Sequence, residues 1–179
     1  MRKWFNPNSR TYWDKKYLDQ ESRGVRRSDG KGLDKFKDHF KRADTILDFG
    51  SGRGGNVEYL SKRMKHKKFT LVDHSTVCLQ QCRDMLEGDK SGNEFDFLNT
   101  LSGIEARSID MIMSLEVLEH IPDYRNILQE LWGLLKPGGA LLVSVPVKGW
   151  RDRHREHINK FTLKTMFQEL TRLSDVVQI

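Results

Sequence analysis

Short apolar runs alternate along this chain with longer stretches whose apolar residues recur at helical spacing. Thr45–Phe49 reads as a strand, and Asn56–Lys65 as a helix with Val57, Leu60 and Met64 on one face. A second strand follows from Phe69, then a helix from Ser75 closed by Gly88, a strand over Glu94–Leu98 and a fourth over Ser108–Ser114. Asp123–Leu135 places Ile127, Leu128, Leu131, Leu134 and Leu135 at helical spacing and is stopped by Pro137-Gly138-Gly139. Ala140–Val145 is apolar enough to be buried on both faces. Thr162 then caps a helix that turns Met166, Phe167, Leu170 and Leu173 to the core, and Val176–Ile179 supplies one more strand. Strands alternating with helices predict an α/β fold, a doubly wound and mostly parallel sheet.

Composition narrows the class. A chain of 179 residues that is 37% hydrophobic suits one domain, with residues 1–43 as a helical lead-in and lid and 44–179 as the core. The uncharged stretch Pro137–Val147 falls well short of the roughly 20 apolar residues of a membrane helix. Met1-Arg2-Lys3-Trp4-Phe5-Asn6-Pro7 lacks the apolar core of a secretory signal, so the expected compartment is the cytoplasm. Cys78 and Cys82 share a helix face, where small apolar packing explains them better than a metal or a disulfide. Residues 1–43 carry 13 Lys and Arg against 6 Asp and Glu, a surplus of +7 that leaves the rest of the chain at −1 of the total +6. Lys148, Arg151, Arg153 and Arg155 follow a strand end and are candidates for touching an anionic substrate.

Candidate chemistry begins at Ile46-Leu47-Asp48-Phe49-Gly50-Ser51-Gly52-Arg53-Gly54-Gly55, where a strand runs through a carboxylate into a glycine turn and a helix. The glycine spacing alone also fits dinucleotide folds, in which the helix N-terminus holds a pyrophosphate. Asp48, two residues before the first glycine, suits a cationic ligand better and disfavours a nicotinamide dehydrogenase. Asp73 ends the second strand where a carboxylate can accept from two ribose hydroxyls. With Leu115-Glu116-Val117-Leu118-Glu119-His120-Ile121-Pro122-Asp123 and Leu135-Lys136-Pro137-Gly138-Gly139, the pattern resembles the class I S-adenosylmethionine (SAM) methyltransferases, in particular the group that includes ubiquinone-biosynthesis and sugar or natural-product enzymes. The resemblance covers roughly residues 12 to 179 and implies a Rossmann-like fold. The resemblance further implies a fold shortened at its C-terminal end, since the family adds an antiparallel strand for which no residues are expected after Ile179.

The resemblance also implies roles. Asp48, Gly50, Ser51 and Gly52 would lie beside the methionine part of SAM, Asp73 with His74 at the ribose, and Asn99 with Thr100 at the adenine. Ser114 and Glu116 would wall the methionine and substrate side. Tyr12-Trp13-Asp14 and Tyr17 resemble a lead-in that covers the cofactor, and the polar stretch between Glu21 and Gly32 reads as a lid or linker. His120 and His157 are the candidate general bases. An alternative has Glu116, Glu119, His120 and His157 hold a divalent cation, the first three sharing a helix face. The acceptor is then a small molecule, expected to react through oxygen; RNA is the runner-up, and a non-catalytic SAM-binding subunit needing a partner is a reading from another class. Unpaired amides on the Val176–Ile179 edge would invite a homodimer.

Overall fold

The computed structural model describes residues 9–23, 29–147 and 156–177. Five parallel strands form one sheet in the order β3-β2-β1-β4-β5: β1 Thr45–Phe49, β2 Lys68–Val72, β3 Glu94–Leu98, β4 Ile109–Leu115 and β5 Leu135–Ser144. Ahead of the sheet come α1 (Arg10–Ser22), a 3-10 turn at Lys31–Phe36 and α2 (Lys37–Arg42). Then α3 (Gly55–Ser61), α4 (Thr76–Leu86) and α5 (Tyr124–Leu134) connect strands, and α6 (Leu163–Thr171) follows β5. The chain steps outward from β1 through β3 and then returns to the other side of β1 with β4. That reversal opens a crevice at the carboxyl ends of β1 and β4, where open α/β sheets take their ligands.

Both faces of the inner strands β1, β2 and β4 are covered, which explains their apolar runs, whereas β5 is an edge strand and Ala140–Val145, expected to be buried on both faces, is only half-buried. Ile46, Phe69, Leu71, Met111 and Met113 pack with Val57, Leu60, Leu79 and Cys82 on one side. Leu47, Val72 and Ile112 pack with Leu131 and Leu134 on the other. Neighbours in sequence thus divide between the two cores, as the two-residue period of a strand requires. Ser75, Asp123 and Thr162 cap α4, α5 and α6 with their side chains.

Several expectations need correction. The β5 strand begins at Leu135, because Lys136–Gly139 bulges out between the pairs Ile109–Leu135 and Met111–Ala140, and a bulge tolerates a proline that donates no hydrogen bond. On α6, Phe167 is exposed and Glu169 is buried in its stead; Arg125 bonds both Glu169 oxygens, at 3.1 and 2.8 Å, and Arg172 adds a third contact at 2.8 Å. A multiply bonded carboxylate loses little on leaving water, so the ion cluster decides which face turns in. Val176 and Val177 are not in a strand, and Val176 is exposed. Among the described residues the sheet edge on that side is β5, and the last two residues of the expected strand lie outside them. Lys148, Arg151, Arg153 and Arg155 also lie outside them, as do residues 24–28 of the expected lid.

Candidate active site

The β1 strand ends in a turn that only glycine can make. Gly50 has φ +76°, and a Cβ there would stand 2.3 Å from Val117 Cγ2. Both the Gly50 and Ser51 amides donate to the Val72 carbonyl, at 2.7 and 3.1 Å, which fastens the turn to the end of β2. The Gly52 amide donates to Asp73 Oδ2 at 2.8 Å, and the Gly52 carbonyl accepts from the Cys82 thiol at 3.3 Å. On its other oxygen Asp73 accepts from the Ser75 amide at 2.8 Å. One carboxylate therefore joins the glycine turn to the start of α4.

Asp48 lies behind this turn, 2% exposed, and its Oδ2 has no hydrogen-bond partner among the described residues. Burial, and then the charge of Asp73, push the Asp48 pKa up to about 8. Burial also raises that of Asp73, against the two amides that stabilise its charged form. Two buried carboxyls thus stand side by side behind and beside the glycine turn, with no ion pair to either among the described residues.

Beside Asp73 opens a cavity of about 480 Å³. Gly50, Asp73, His74, Asn99, Thr100, Glu116 and His120 line it, together with Trp13 and Tyr17 from α1. Asp73, Glu116 and Glu130 are its acidic residues, and no lysine or arginine is on its wall among the described residues. Such a lining favours a cationic ligand. Asn99 donates its amide nitrogen to the Asp73 carbonyl at 3.2 Å, which orients the amide. Asp48, Ser51, Gly52 and His157 are not on the wall, and neither is Ser114, which is fully buried with a hydroxyl that has no hydrogen-bond partner among the described residues; Glu116 and Val117 line the wall after β4. The wall also includes residues that pattern reading did not assign, Leu101 and Ser102 after β3 and Ile121, Pro122, Ile127 and Glu130 at α5. Their one signal in the sequence is that they flank the segments already singled out.

Glu116, Glu119 and His120 do not share a helix face. Glu116 takes φ +58°, its amide donates to the Ser144 carbonyl at 3.0 Å, and its carboxylate accepts from the Ser144 hydroxyl at 2.8 Å. A non-glycine residue in the left-handed region ends any helix there, and such strain is typical of functional positions. Glu119 and His120 instead sit on a short 3-10 turn, Leu118–His120. One ligand atom each from Glu119, His120 and His157 lies within 4.8 Å of the others, a trio to which Glu116 does not belong.

His120 is the group in this trio that reaches the cavity. Its Nδ1 lies 3.0 Å from the Glu156 carbonyl, and a carbonyl only accepts, so Nδ1 carries the proton of the neutral ring. Nε2 is then a lone pair, 3.8 Å from Glu119 Oε1. Burial is the main cause that lowers the His120 pKa, which keeps the ring neutral near neutrality. Trp13 and His157 pack against the ring edge to face, each with centroids at 4.9 Å.

Comparison with known proteins agrees with this geometry. Residues 22–173 match the family described as "Methyltransferase domain". The chain is 32% identical over 101 residues to trans-aconitate 2-methyltransferase of Rhodopseudomonas palustris, an alignment of 56% of this chain and 38% of the relative. It is 33% identical over 112 residues to the ubiquinone biosynthesis O-methyltransferase of Idiomarina loihiensis, covering 59% and 44%. The chain thus spans less than half the length of these curated relatives. Among solved structures, a chain of the complex between the Haloferax volcanii Trm112 methyltransferase activator and a methyltransferase superposes with a TM-score of 0.68 at 19% identity, covering 90% of this chain and 75% of that one. No helix among the described residues is long and apolar enough to cross a membrane. With the acid-backed glycine turn, the cation-favouring cavity and the family match in agreement, the chain belongs to the class I SAM-dependent methyltransferases.

Proposed function

We propose that this chain transfers a methyl group from SAM to a small-molecule acceptor through an oxygen nucleophile. The observation that carries the acceptor chemistry is His120, a half-buried imidazole on the cavity wall whose Nδ1 is committed to a carbonyl, which leaves Nε2 as its basic nitrogen. When bound, SAM supplies an electrophilic methyl carbon on a sulfonium. Asp48 and the Gly50 turn would hold the ammonium end, Asp73 the ribose, and Asn99 with Thr100 the adenine. Trp13 and Tyr17 would exclude water. His120 Nε2 would take the proton of an acceptor hydroxyl as the oxygen attacks, a role worth about 10²–10⁴ in rate.

Calorimetry should show SAM and its demethylated product binding and NAD not binding. Tight NAD binding would remove the assignment. With radiolabelled SAM and a panel including trans-aconitate and a catechol, His120→Gln should lower kcat by about 10²-fold or more on a hydroxyl acceptor. An acceptor that is already a carboxylate needs no base, and there the variant should turn over like the parent.

A second reading is favoured by the trio Glu119, His120 and His157. These residues fit a divalent cation: His120 donates its other ring nitrogen to a carbonyl, as metal-bound histidines do, and Glu119 is a fully buried acid. A cation there would polarise an acceptor oxygen and ease its deprotonation. EDTA should then abolish turnover and added Mg²⁺ or Mn²⁺ restore it, whereas the base mechanism is indifferent to both.

A further inference from the structure

Helix α1 supplies two walls of the cofactor cavity, yet none of its own residues is buried. Polar side-chain contacts hold it, together with the packing of Trp13 on His120. On the α4 side, Asp14 accepts from the Ser75 hydroxyl at 2.6 Å, and Glu21 accepts from the Gln81 amide at 2.7 Å. On the opposite side, Lys16 reaches Glu156, 140 residues away in sequence, at 2.7 Å. The two side chains of that pair are 27% and 14% exposed, so it is partly withdrawn from water and stronger than a surface ion pair.

Glu156 is also the residue whose carbonyl fixes the proton of His120. The chain just beyond it is fastened to the turn that bears His120: the Ile158 and Asn159 amides donate to the Glu119 carbonyl at 2.9 and 3.1 Å. Asn159 adds side-chain bonds to the carbonyls of Leu118 and Ile121, at 2.9 and 2.6 Å. Lys16 secures the other end, and its ammonium lies 4.4 Å from the centroid of the Trp13 ring, which packs on His120.

We propose that Lys16 and Glu156 are positioning residues whose ion pair joins closure of α1 over the cofactor cavity to the orientation of the His120 ring; this rests on the role given to His120 above. When α1 lifts, Lys16 leaves Glu156 and Trp13 leaves the imidazole together, and the carbonyl that selects the Nδ1–H tautomer loses its outer support. When α1 seats, the base is aimed as water is shut out.

The test needs no acceptor. Protein with ¹⁵N-labelled histidine rings, saturated with S-adenosylhomocysteine at pH 8, is examined by long-range proton–nitrogen NMR, with His120→Gln identifying the His120 signals. The parent should show the Nδ1–H form. In Lys16→Ala and Glu156→Gln a mixture of tautomers should appear, and S-adenosylhomocysteine should bind about threefold to tenfold more weakly. Lys16→Arg should restore both, as should the paired reversal Lys16→Glu with Glu156→Lys. An unchanged tautomer in both single variants would overturn the proposal, even if affinity fell, since Lys16 would then only hold the lid. Because the tautomer is read without turnover, this result stands apart from the methyl-transfer assignment, which the His120→Gln rates decide.

Discussion

At the scale of single residues, Asp73 does two jobs that pull its energetics in different directions. As a cavity-lining acid it is the group proposed above for the ribose, and as an acceptor it ties the Gly52 amide to the Ser75 amide. Asp73→Ala should therefore weaken the protein before any ligand is added, by about 1–3 kcal/mol, because two poorly solvated amides lose their acceptor. Urea unfolding of the ligand-free variant measures this. An unaltered midpoint, with only SAM affinity reduced, would mean that the amide bonds are dispensable. The acid at the end of β2 was legible because strand ends and glycine turns are local patterns. Its role as a tie was not, since nothing in the sequence says which of its lone pairs the backbone uses.

Elements repeat that division between local and distant information. The strands β1 and β2 fall close to where apolar runs place them, because a strand buried on both faces announces itself in five residues, and the edge strand β3 shows itself by alternation, with Glu94 and Asp96 exposed and Phe95 and Phe97 half-buried. The α6 face was misread because Glu169 is buried by Arg125, 44 residues away, and no helical period reports such a partner. Likewise the Glu116–His120 segment reads as helical until Ser144 engages both the backbone and the side chain of Glu116. Two glycines test how far an element's own geometry dictates its sequence. Gly50→Ala adds a methyl 2.3 Å from Val117 at φ +76°, and the left-handed backbone and overpacking together should cost about 2–5 kcal/mol. Gly133→Ala, in α5 with open space where the methyl would go, should stabilise by roughly 0.5–1 kcal/mol through helix propensity. Thermal unfolding of the pair should move in opposite directions, and a stabilising Gly50→Ala would show that the turn relaxes away from Val117.

Across the whole molecule, two carboxylates at opposite ends of the sheet give stability opposite dependences on pH. At the start of β4, Asp110 is held down to about 2, against the effect of burial, by Lys136 and by donors from Thr45 and Asp44, so its contribution is present above the ordinary carboxylate range and is lost as pH falls through about 2. Asp48, at the ligand end of β1, is raised to about 8, so the sign reverses. Its proton stays on in the folded state and leaves in the unfolded state between about pH 4 and pH 8. Its contribution is complete below about pH 4 and is lost as pH rises through about 8. The slope cannot exceed one proton, about 1.4 kcal/mol per pH unit, or roughly 3–5 °C per unit for a domain of this size. Asp48→Asn has no proton to lose, so its melting temperature should rise relative to the parent as pH goes from 5 to 8. The ammonium of SAM should reverse the benefit: at pH 7 binding to the parent should release close to one proton, seen as a dependence of the binding heat on buffer ionisation, and affinity should climb toward pH 8. Asp48→Asn should bind SAM more weakly with no proton release. A parent whose binding heat is the same in phosphate and Tris at pH 7 would mean that Asp48 does not change its ionisation when SAM binds, and would overturn its assignment as the ammonium's counter-charge.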